Sequence, residues 1–287
     1  MLTVMAPAKL NLTLEVLDKR PDGYHEIRSV IQIIDLCDSL RFQLNQKITF
    51  KADVPDWTPE KSLVSQAVSL LQETTGGAKG ATIAINKRIP LVSGLGGDSS
   101  NVAATLRGLN ELWKLGLSQD KLLELAAQLG SDVAFFLHGG TALVEGRGET
   151  VTPLPSLPHM WVVLVMPGVP RLPRKTAQLY ASLKASHCTD GQITARLAEK
   201  LREGGEFTPT IFNTFENVAF TAFPELNKYR ERLVKIGASE IHLAGSGPTL
   251  FTLLKDKAQA EELHSRCQQQ GLKTYLTETS AAMEKIS

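Results

Sequence analysis

Cysteine, net charge and long apolar runs are all scarce in this chain, and each scarcity argues against a class of protein. The three cysteines, Cys37, Cys188 and Cys267, are scattered and form no Cys-x-x-Cys pair, so we expect neither a disulfide framework nor a zinc site. Lysine and arginine total 31 against 30 for aspartate and glutamate, whereas nucleic-acid-binding domains usually carry a basic excess. No apolar run reaches the roughly 18 residues that cross a bilayer. We therefore expect neither nucleic acid nor membrane as a partner.

The composition is that of an ordinary globular protein. Of the 287 residues, 43% are hydrophobic and 21% are charged, and this length predicts one large domain or two modest ones. Residues 1–16 lack a basic stretch followed by an apolar run and a small-residue cleavage site, so no secretion signal is expected. We expect a cytoplasmic, bacterial-type enzyme that is a monomer or a weak homodimer.

Strand-like and helix-like patterns follow one another along the first half without an internal repeat. Leu10–Leu17 alternates apolar and polar residues, as in a half-buried strand. Further strands are predicted at Ile27–Leu36, Ile48–Ala52, Ala81–Ile85, Thr141–Glu145 and Glu149–Val151, and helices at Pro59–Thr75, Asn101–Leu115 and Ser118–Leu129.

The second half begins after a proline-rich segment, Val151–His159, which predicts a linker between domains. After it we expect strands at Trp161–Met166, Glu240–Leu243 and Thr249–Leu253, helices near Arg174–Ser186, Thr194–Glu203 and Pro224–Ile236, and a final helix–strand pair. Separate helices beside antiparallel-looking strands indicate an α+β protein in two lobes, with domains at residues 1–155 and 156–287.

The segment Gly94–Ser100, which we call the first glycine loop, lies between a predicted strand and a predicted helix. This position offers unpaired N–H groups and the positive end of a helix dipole, which attract a phosphate. Glycines let the backbone approach phosphate oxygens without a Cβ in the way. The hydroxyls of Ser99 and Ser100 can donate to phosphates or coordinate Mg²⁺.

The first glycine loop matches neither common nucleotide-binding pattern. It lacks the Gly-Lys-Ser/Thr ending of a Walker A loop and the third glycine of the dinucleotide-binding pattern. On this segment alone, a glycine-rich helix start without any ligand stays open. A second glycine loop, Gly245–Pro248, joins two predicted strands and is as readily a plain turn.

Several motifs together resemble one enzyme superfamily. They are Ala6–Leu12 (APAKLNL), Arg20–His25 (RPDGYH), Ile89-Pro90 with Gly94–Ala104, Leu129–Val133 (LGSDV), Gly146–Glu149 (GRGE) and Gly245–Pro248 (GSGP). In this order, along nearly the whole chain, they resemble the GHMP superfamily of small-molecule kinases, named for galactokinase, homoserine kinase, mevalonate kinase and phosphomevalonate kinase. Asp22–His25 resembles in particular the branch that phosphorylates a cytidine-diphosphate-linked methylerythritol.

The resemblance implies a fold, a phosphoryl donor and an acceptor. The fold has an N-terminal lobe like the second domain of ribosomal protein S5 and a ferredoxin-like C-terminal lobe. The donor is ATP with Mg²⁺, whose phosphates lie against Gly94, Leu95, Gly96, Gly97, Ser99 and Ser100. The metal comes with ATP and not from a side-chain cluster, with Ser100 as the candidate ligand. The acceptor is the C2 hydroxyl of the cytidine-diphosphate-linked methylerythritol, in the non-mevalonate route to isoprenoid precursors.

The same resemblance implies two catalytic residues. Asp132 is the base beside the acceptor hydroxyl, and Lys9 stabilises charge on the moving phosphoryl group. A hydroxyl nucleophile needs a carboxylate within about 2.6–3.2 Å to orient it, and phosphoryl transfer depends mainly on positioning and charge neutralisation. On the residues alone, Asp132 is equally a helix N-cap and Lys9 a solvated side chain on an early strand.

The acceptor is expected against Asn11, Tyr24 and His25, with Tyr180 as the ring that stacks on cytosine. A neutral His25 can donate from one ring nitrogen and accept at the other, which suits the cytosine edge. The remaining substrate-binding candidates are Thr176, Gly245, Ser246 and Gly247. On the residues alone, Tyr180 is also explained as a core residue of an amphipathic helix.

Three residues of the first-loop region depart from the family pattern, because Val92 and Ser93 stand where these kinases usually have glycines and Asp98 replaces a small residue. A carboxylate beside phosphates is repelled unless it points away or binds Mg²⁺, and we expect Asp98 to point away. Two other interpretations stay open. Another GHMP kinase would not need Asp22–His25, and a nucleic-acid-binding module is opposed by the near-neutral charge and the two glycine loops.

Overall fold

The computed structural model describes residues 1–54, 58, 62–77, 79–170, 174–206, 208–283 and 286. The strands within them are β1 (Leu2–Lys19), β2 (His25–Asn45), β3 (Thr49–Ala52), β4 (Gly80–Asn86), β5 (Thr141–Gly146), β6 (Thr150–Leu154), β7 (Trp161–Met166), β8 (Phe212–Asn213), β9 (His242–Leu243), β10 (Leu250–Leu254) and β11 (Lys273–Glu278). The helices are α1 (Leu63–Thr75), α2 (Gly97–Leu112), α3 (Gln119–Leu129), α4 (Val133–His138), α5 (Lys175–Ser182), α6 (Gln192–Glu203), α7 (Glu216–Ala222), α8 (Glu225–Lys235) and α9 (Lys257–Gln269).

Two mixed layers of sheet and helix build the molecule. The first sheet has the order β3-β4-β2-β1-β8, with β5 paired to β2 and β6 paired to β5. The long strands β1 and β2 are antiparallel, whereas β8 runs parallel to β1. The second sheet is antiparallel, in the order β11-β7-β10-β9. The predicted α+β class is confirmed.

Helices α1–α4 pack with the first sheet around one large apolar core, in which Phe42, Ile83, Leu106 and Phe135 are fully buried. Burial of apolar surface is the main stabilising contribution here, at about 25 cal/mol per Å². A second core joins the faces of β7 and β10 to α7, α8 and α9. The site described below lies where these two halves meet.

Strand β1 is buried on both faces, so the expectation of a half-buried strand at Leu10–Leu17 was wrong. Asn11, Thr13 and Glu15 are at most 4% exposed. The polar face is covered by α6, where the amide of Thr194 donates to Glu15 Oε2 at 2.7 Å and its hydroxyl donates to Thr13 Oγ1 at 2.9 Å. The alternation correctly predicted one apolar and one polar face of β1. It did not predict that α6 covers the polar face.

Several expected boundaries shift. Helix α2 begins at Gly97 and ends at Leu112, not at Asn101 and Leu115, so Ser99 and Ser100 lie in its first turn. Helix α1 begins at Leu63 with Ser62 as its N-cap; residues 59–61 of the expected helix lie outside the described residues. Helix α3 has the predicted cap, because Ser118 Oγ accepts from the amide of Lys121 at 3.2 Å.

The second half shows further corrections. The start of the expected linker, residues 151–154, is part of β6 and pairs with β5. The helix expected at Arg174–Ser186 is α5 followed by a short 3₁₀ turn, Ala185–His187, and the strand expected at Glu240–Leu243 is the two-residue β9. Helix α7 was not expected, and a helix at α4 followed only from the interpretation of Asp132 as an N-cap. The domain boundary near residue 155 stays a prediction. In the described part of the chain, no helix is long and apolar enough to cross a membrane.

Candidate active site

A cavity of about 1290 Å³ opens between the two halves of the chain. Segments far apart in sequence line it: β1, the β1–β2 connection, the first glycine loop, the segment before α4, the start of α5 and the second glycine loop. Among its lining residues are the predicted site residues Lys9, Asn11, Tyr24, His25, Gly94, Gly96, Asp132, Thr176, Tyr180, Gly245 and Ser246. This volume exceeds the 300–1,000 Å³ typical of sites for one small ligand.

The first glycine loop lies directly against Lys9. The amide of Lys9 donates to the carbonyl oxygen of Leu95 at 2.9 Å, while the Leu95 side chain is buried in the core. Gly96 has φ 75°, and a Cβ there would lie 2.8 Å from Phe136 Cζ and 3.0 Å from Lys9 Cγ. Only glycine allows this contact, because any side chain would push the loop off β1.

The start of α2 presents unpaired polar groups. Gly96 is the N-cap and has no side chain to cap the amides of Gly97, Asp98 and Ser99, which precede the first intrahelical bond from Ser100 to Gly96. The Ser100 hydroxyl and the Asn101 amide group are buried and find no hydrogen-bond partner in the residues described. A buried polar group without a partner is costly. An arriving anion, or a cation bound to it, would satisfy these groups.

Asp98 turns away from the loop interior, toward Lys87. Its carboxylate is 56% exposed and lies 3.9 Å from Lys87 Nζ. Lys87 is buried and also pairs with the buried Asp38 at 2.6 Å, and Asp38 further accepts from the amides of Arg88 and Ile89. Asp98 therefore interacts with the buried Lys87–Asp38 ion pair. Its carboxylate does not occupy the amides at the start of α2.

Lys9 and Asp132 form the charged centre of the cavity. Their Nζ and Oδ2 atoms are 3.5 Å apart, with side chains 6% and 35% exposed. Lys9 Nζ also donates to Asn11 Oδ1 at 2.7 Å, and Asn11 Nδ2 donates to Ser29 Oγ at 2.8 Å. Asp132 occupies the N-cap position of α4, but its carboxylate caps no amide. The carboxylate therefore faces the ammonium and the cavity.

The second glycine loop closes over this centre. A Cβ on Gly245 would lie 3.3 Å from both Asn11 Oδ1 and Lys9 Nζ. Buried Asn213 positions this loop, because its Nδ2 donates to the carbonyl oxygens of Leu243 and Gly245, each at 2.8 Å. On the cavity side, the hydroxyls of Ser246 and Thr176 are 2.9 Å apart.

An aromatic wall bounds the other side of the cavity. The rings of His25 and Tyr180 stack, and Tyr180 also meets Phe215 edge to face. Burial, followed by the charge of Asp132, raises the pKa of Tyr180 to about 12. Burial, followed by the charge of Lys19, lowers the pKa of His25. Tyr24 is 57% exposed, and the Arg147 guanidinium lies 5.0 Å from its ring centroid.

The charged lining of the cavity is mostly basic. Its basic residues in the described part of the chain are Lys9, Lys19, Arg147, Arg174 and Lys175, and its acidic residue is Asp132. Such a lining attracts ligands with several negative charges. Sequence reasoning assigned no role to Asn213, Arg147 or Lys175. Arg147 could have been identified, because it lies in the Gly146–Glu149 motif. No local sequence pattern distinguishes Asn213 or Lys175.

The residues described contain no group of three or more His, Cys, Asp and Glu side chains that could hold a metal ion. The donors at the start of α2 are instead a hydroxyl, an amide side chain and backbone N–H groups. The N–H groups suit phosphate oxygens, whereas the hydroxyl and the amide oxygen fit Mg²⁺ that arrives on phosphates and keeps most of its own water. The unpartnered Ser100 hydroxyl is the side-chain atom that fits such an ion.

Comparison with known proteins agrees with this arrangement. Residues 62–140 match the model for the GHMP kinases N terminal domain, and residues 192–273 match that for GHMP kinases C terminal. A 4-diphosphocytidyl-2-C-methyl-D-erythritol kinase of Dehalococcoides mccartyi is 52% identical over 284 residues, covering 99% of this chain and 100% of the relative. The enzyme of that name from Geobacillus thermodenitrificans is 41% identical, covering 92% of each.

Solved structures give the same result. A crystal structure of 4-(cytidine 5'-diphospho)-2C-methyl-D-erythritol kinase superposes with a TM-score of 0.81 at 32% identity, covering 97% of this chain and 99% of the other. A homoserine kinase from Cytophaga hutchinsonii has a TM-score of 0.70 at 19% identity, covering 100% of this chain and 96% of its own, which shows a shared fold. The chain belongs to the GHMP kinases and, among them, to the family of the 4-diphosphocytidyl-2-C-methyl-D-erythritol kinases.

Proposed function

We propose that this chain transfers the terminal phosphoryl group of ATP to the 2-hydroxyl of 4-diphosphocytidyl-2-C-methyl-D-erythritol. The observation that carries the proposal is the Lys9–Asp132 pair, 3.5 Å apart, which faces a cavity bounded by the first glycine loop and by the His25–Tyr180 stack. Relatives similar over nearly their whole length are named for this kinase.

Asp132 orients the acceptor hydroxyl and takes its proton. The acceptor oxygen then forms a bond to the terminal phosphorus, and the bond from that phosphorus to the bridging oxygen of ADP breaks. Lys9 stands beside Asp132 and offers its ammonium to the charge on the group in transfer. Its bond to Asn11 Oδ1 fixes the ammonium at the place where the charge develops. Fixed charges of this kind supply most of the catalysis in phosphoryl transfer.

The first glycine loop holds the phosphates of ATP. The free amides of Gly97, Asp98 and Ser99 donate to phosphate oxygens, and glycine at 94 and 96 lets the chain approach closely. Leu95 contributes through its backbone. Ser100 would offer its hydroxyl to Mg²⁺ carried on the phosphates, and the ion would supply charge neutralisation there.

The aromatic wall receives the cytosine. Because its pKa is lowered, His25 is neutral at pH 7 and offers one donor and one acceptor to the base edge. Asn11, Tyr24, Thr176 and the second glycine loop bind the rest of the acceptor. The basic lining of the cavity favours the diphosphate that links cytidine to the methylerythritol.

An ADP-release assay on the purified chain tests the proposal. With MgATP we expect turnover when the cytidylated acceptor is added, and a product whose new phosphate is a monoester on the 2-hydroxyl by ³¹P NMR. Homoserine and mevalonate serve as control acceptors on the same fold. Turnover with either of them in place of the cytidylated acceptor would contradict the proposal.

A further inference from the structure

Lys175 is a buried lysine that joins three segments of the site. It is the first residue of α5 and is 8% exposed. Its Nζ donates to the carbonyl oxygen of Val92 at 3.3 Å and, by a short bond, to that of Gly247. Val92 precedes the first glycine loop and Gly247 belongs to the second. The ammonium therefore lies between the two loops.

Lys175 lacks the counter-ion that other buried lysines of this chain have. Lys9 lies 3.5 Å from Asp132, and Lys87 lies 2.6 Å from Asp38. No carboxylate in the described part of the chain lies within ion-pair distance of Lys175. Burial, followed by repulsion from Lys9, lowers its pKa to about 8. A charge buried without a counter-ion is costly, and a functional site is where such a cost is commonly found.

One N–H of Lys175 stays free. An ammonium has three donors, and the carbonyl oxygens of Val92 and Gly247 take two of them. The residues described offer no third acceptor. Lys175 lines both the main cavity, which includes Gly94 and Gly96 of the first glycine loop, and an adjoining cavity of about 560 Å³ that borders residues 87–92 before that loop. The free N–H therefore lies where a ligand of the loops would be.

The backbone at Val92 fits this role. Val92 has φ 55°, a conformation that a β-branched residue adopts only at a cost. This conformation presents its carbonyl oxygen to Lys175. Strain of this kind persists where the surrounding structure requires it, often at ligand sites.

We propose that Lys175 is a further catalytic residue, whose free N–H contacts the phosphoryl group as it passes from ATP to the acceptor. The inference rests on the proposed function, which puts that group beside Lys9. Lys9 and Lys175 line one cavity and repel each other. An anion between them relieves this repulsion and interacts favourably with both ammonium groups. The phosphoryl group in transfer then lies between Lys9, which is beside Asp132, and Lys175, which is beside the two glycine loops.

The alternative is a purely structural role, in which Lys175 only ties the two loops together. Lys175→Gln separates the two roles, because its amide still donates to two carbonyl oxygens but carries no charge. We expect this variant to lose about 10²-fold in kcat, the usual effect of removing one donor to a developing charge, with its melting temperature kept. Lys175→Arg keeps the charge and should retain more activity than Lys175→Gln. Lys184→Gln, on an exposed lysine outside both cavities, is the matched control and should leave kcat unchanged.

The pH dependence of activity also separates the two roles, because a purely structural role of Lys175 would not change it. Wild-type kcat/KM for MgATP should fall as the pH rises through about 8, where Lys175 of the free enzyme loses its proton. Lys175→Arg should abolish that fall, because a guanidinium stays charged. The other charged or titratable groups on the main cavity are Lys9, Lys19, Tyr24, His25, Asp132, Arg147, Arg174 and Tyr180, and those on the adjoining cavity are Lys87, Arg88, Tyr229, Lys273 and Tyr275. All of them are unchanged in the Lys175 variants, so a difference between the profiles belongs to Lys175.

Near-normal kcat in Lys175→Gln, or an alkaline fall that survives in Lys175→Arg, would overturn the inference and leave the proposed function intact. Absence of turnover in the wild type with the cytidylated acceptor would overturn both. Should Lys175→Gln unfold, the alkaline limb of wild type against Lys175→Arg decides alone.

Discussion

The imidazole of His25 and the phenol ring of Tyr180 stack with their centroids 4.7 Å apart and their planes 15° from parallel. The two residues are separated by 155 positions in sequence and come from opposite halves of the chain. Both residues line the cavity, where the stacked rings form the aromatic wall. A planar base can stack on rings of this kind.

Removing the Tyr180 ring should weaken binding of the cytidylated acceptor. Stacking on a base is worth about 1–3 kcal/mol per ring, so Tyr180→Ala should raise the KM for the acceptor roughly 5- to 150-fold and leave the KM for ATP unchanged. Tyr180→Phe keeps the ring and is the control. Because the pKa of Tyr180 is about 12, its hydroxyl stays protonated and the control should show no new pH dependence. Equal KM values for Ala and Phe would show that the ring does not stack on the base.

Acid should weaken acceptor binding through His25. Its pKa is lowered, first by burial and then by Lys19, so the ring is neutral at pH 7 and gains a proton only below its ordinary value of about 6.5. The charged ring loses its acceptor nitrogen, so the KM for the acceptor should rise as the pH falls below that value. The unfolded chain binds this proton more readily, so acid also lowers the free energy of unfolding. His25→Asn should remove the acid limb of the KM profile.

His138 provides the control for that measurement. Burial lowers its pKa as well, but it does not line the cavity. His138→Asn should therefore keep the acid limb of the KM profile. A limb that disappears in His138→Asn and persists in His25→Asn would contradict the assignment.

Asp132→Asn should abolish most turnover while the chain still folds. Loss of a general base typically costs about 10²–10⁴ in rate. The carboxylate caps no amide of α4, so the start of that helix should be kept. Because Asp132 is the counter-ion of buried Lys9, the melting temperature should fall while the chain stays folded, and ATP binding by calorimetry should be kept. Asp120→Asn, at an exposed position in the first turn of α3, is the control. A variant with near-normal kcat at position 132 would show that Asp132 is not the base.

Gly96→Ala should inactivate the chain, because the added methyl group clashes with its neighbours and because the positive φ at this position disfavours alanine. The added methyl would lie 2.8 Å from Phe136 Cζ and 3.0 Å from Lys9 Cγ, which displaces the loop from Lys9, and a displacement of about 1 Å in a site can cost 10²-fold. Gly116→Ala is the matched control, since Gly116 also has positive φ but nothing within 4 Å of the added atom. It should cost about 1 kcal/mol of stability and no activity. Similar kcat losses in both variants would refute the steric argument.

Local patterns in the sequence predicted most strands and the first glycine loop, because alternation and glycine content are local properties. They placed the start of α2 four residues late, since residues 97–100 have poor intrinsic helix propensity and the contact of Gly97 with Ile89 is not visible in a local pattern. Helix α4 was indicated only by its candidate N-cap, Asp132, because VAFFLH is apolar on every side and shows no helical period.

The sequence predicted only those residues of the candidate site that belong to recognisable motifs or match positions of the family. The positions of Lys9, Asp132 and Tyr180 came from the family resemblance, and no composition or periodicity places them in one cavity. Lys175 and Asn213 escaped detection because their roles depend on carbonyl oxygens of residues such as Val92 and Gly245, far away in sequence. A bond to a backbone oxygen requires no particular residue type there, so nothing marks it in the sequence.

Strand β8 has a consequence for the order of events during synthesis. It supplies the parallel neighbour of β1, and the covering of Thr13 and Glu15 by α6 also comes from the second half of the chain. When the ribosome has made the whole first glycine loop and Asp132, β1 still has an unpaired edge and exposed polar side chains. The Lys9–Asp132 pair therefore acquires its final surroundings only after residue 247 has emerged.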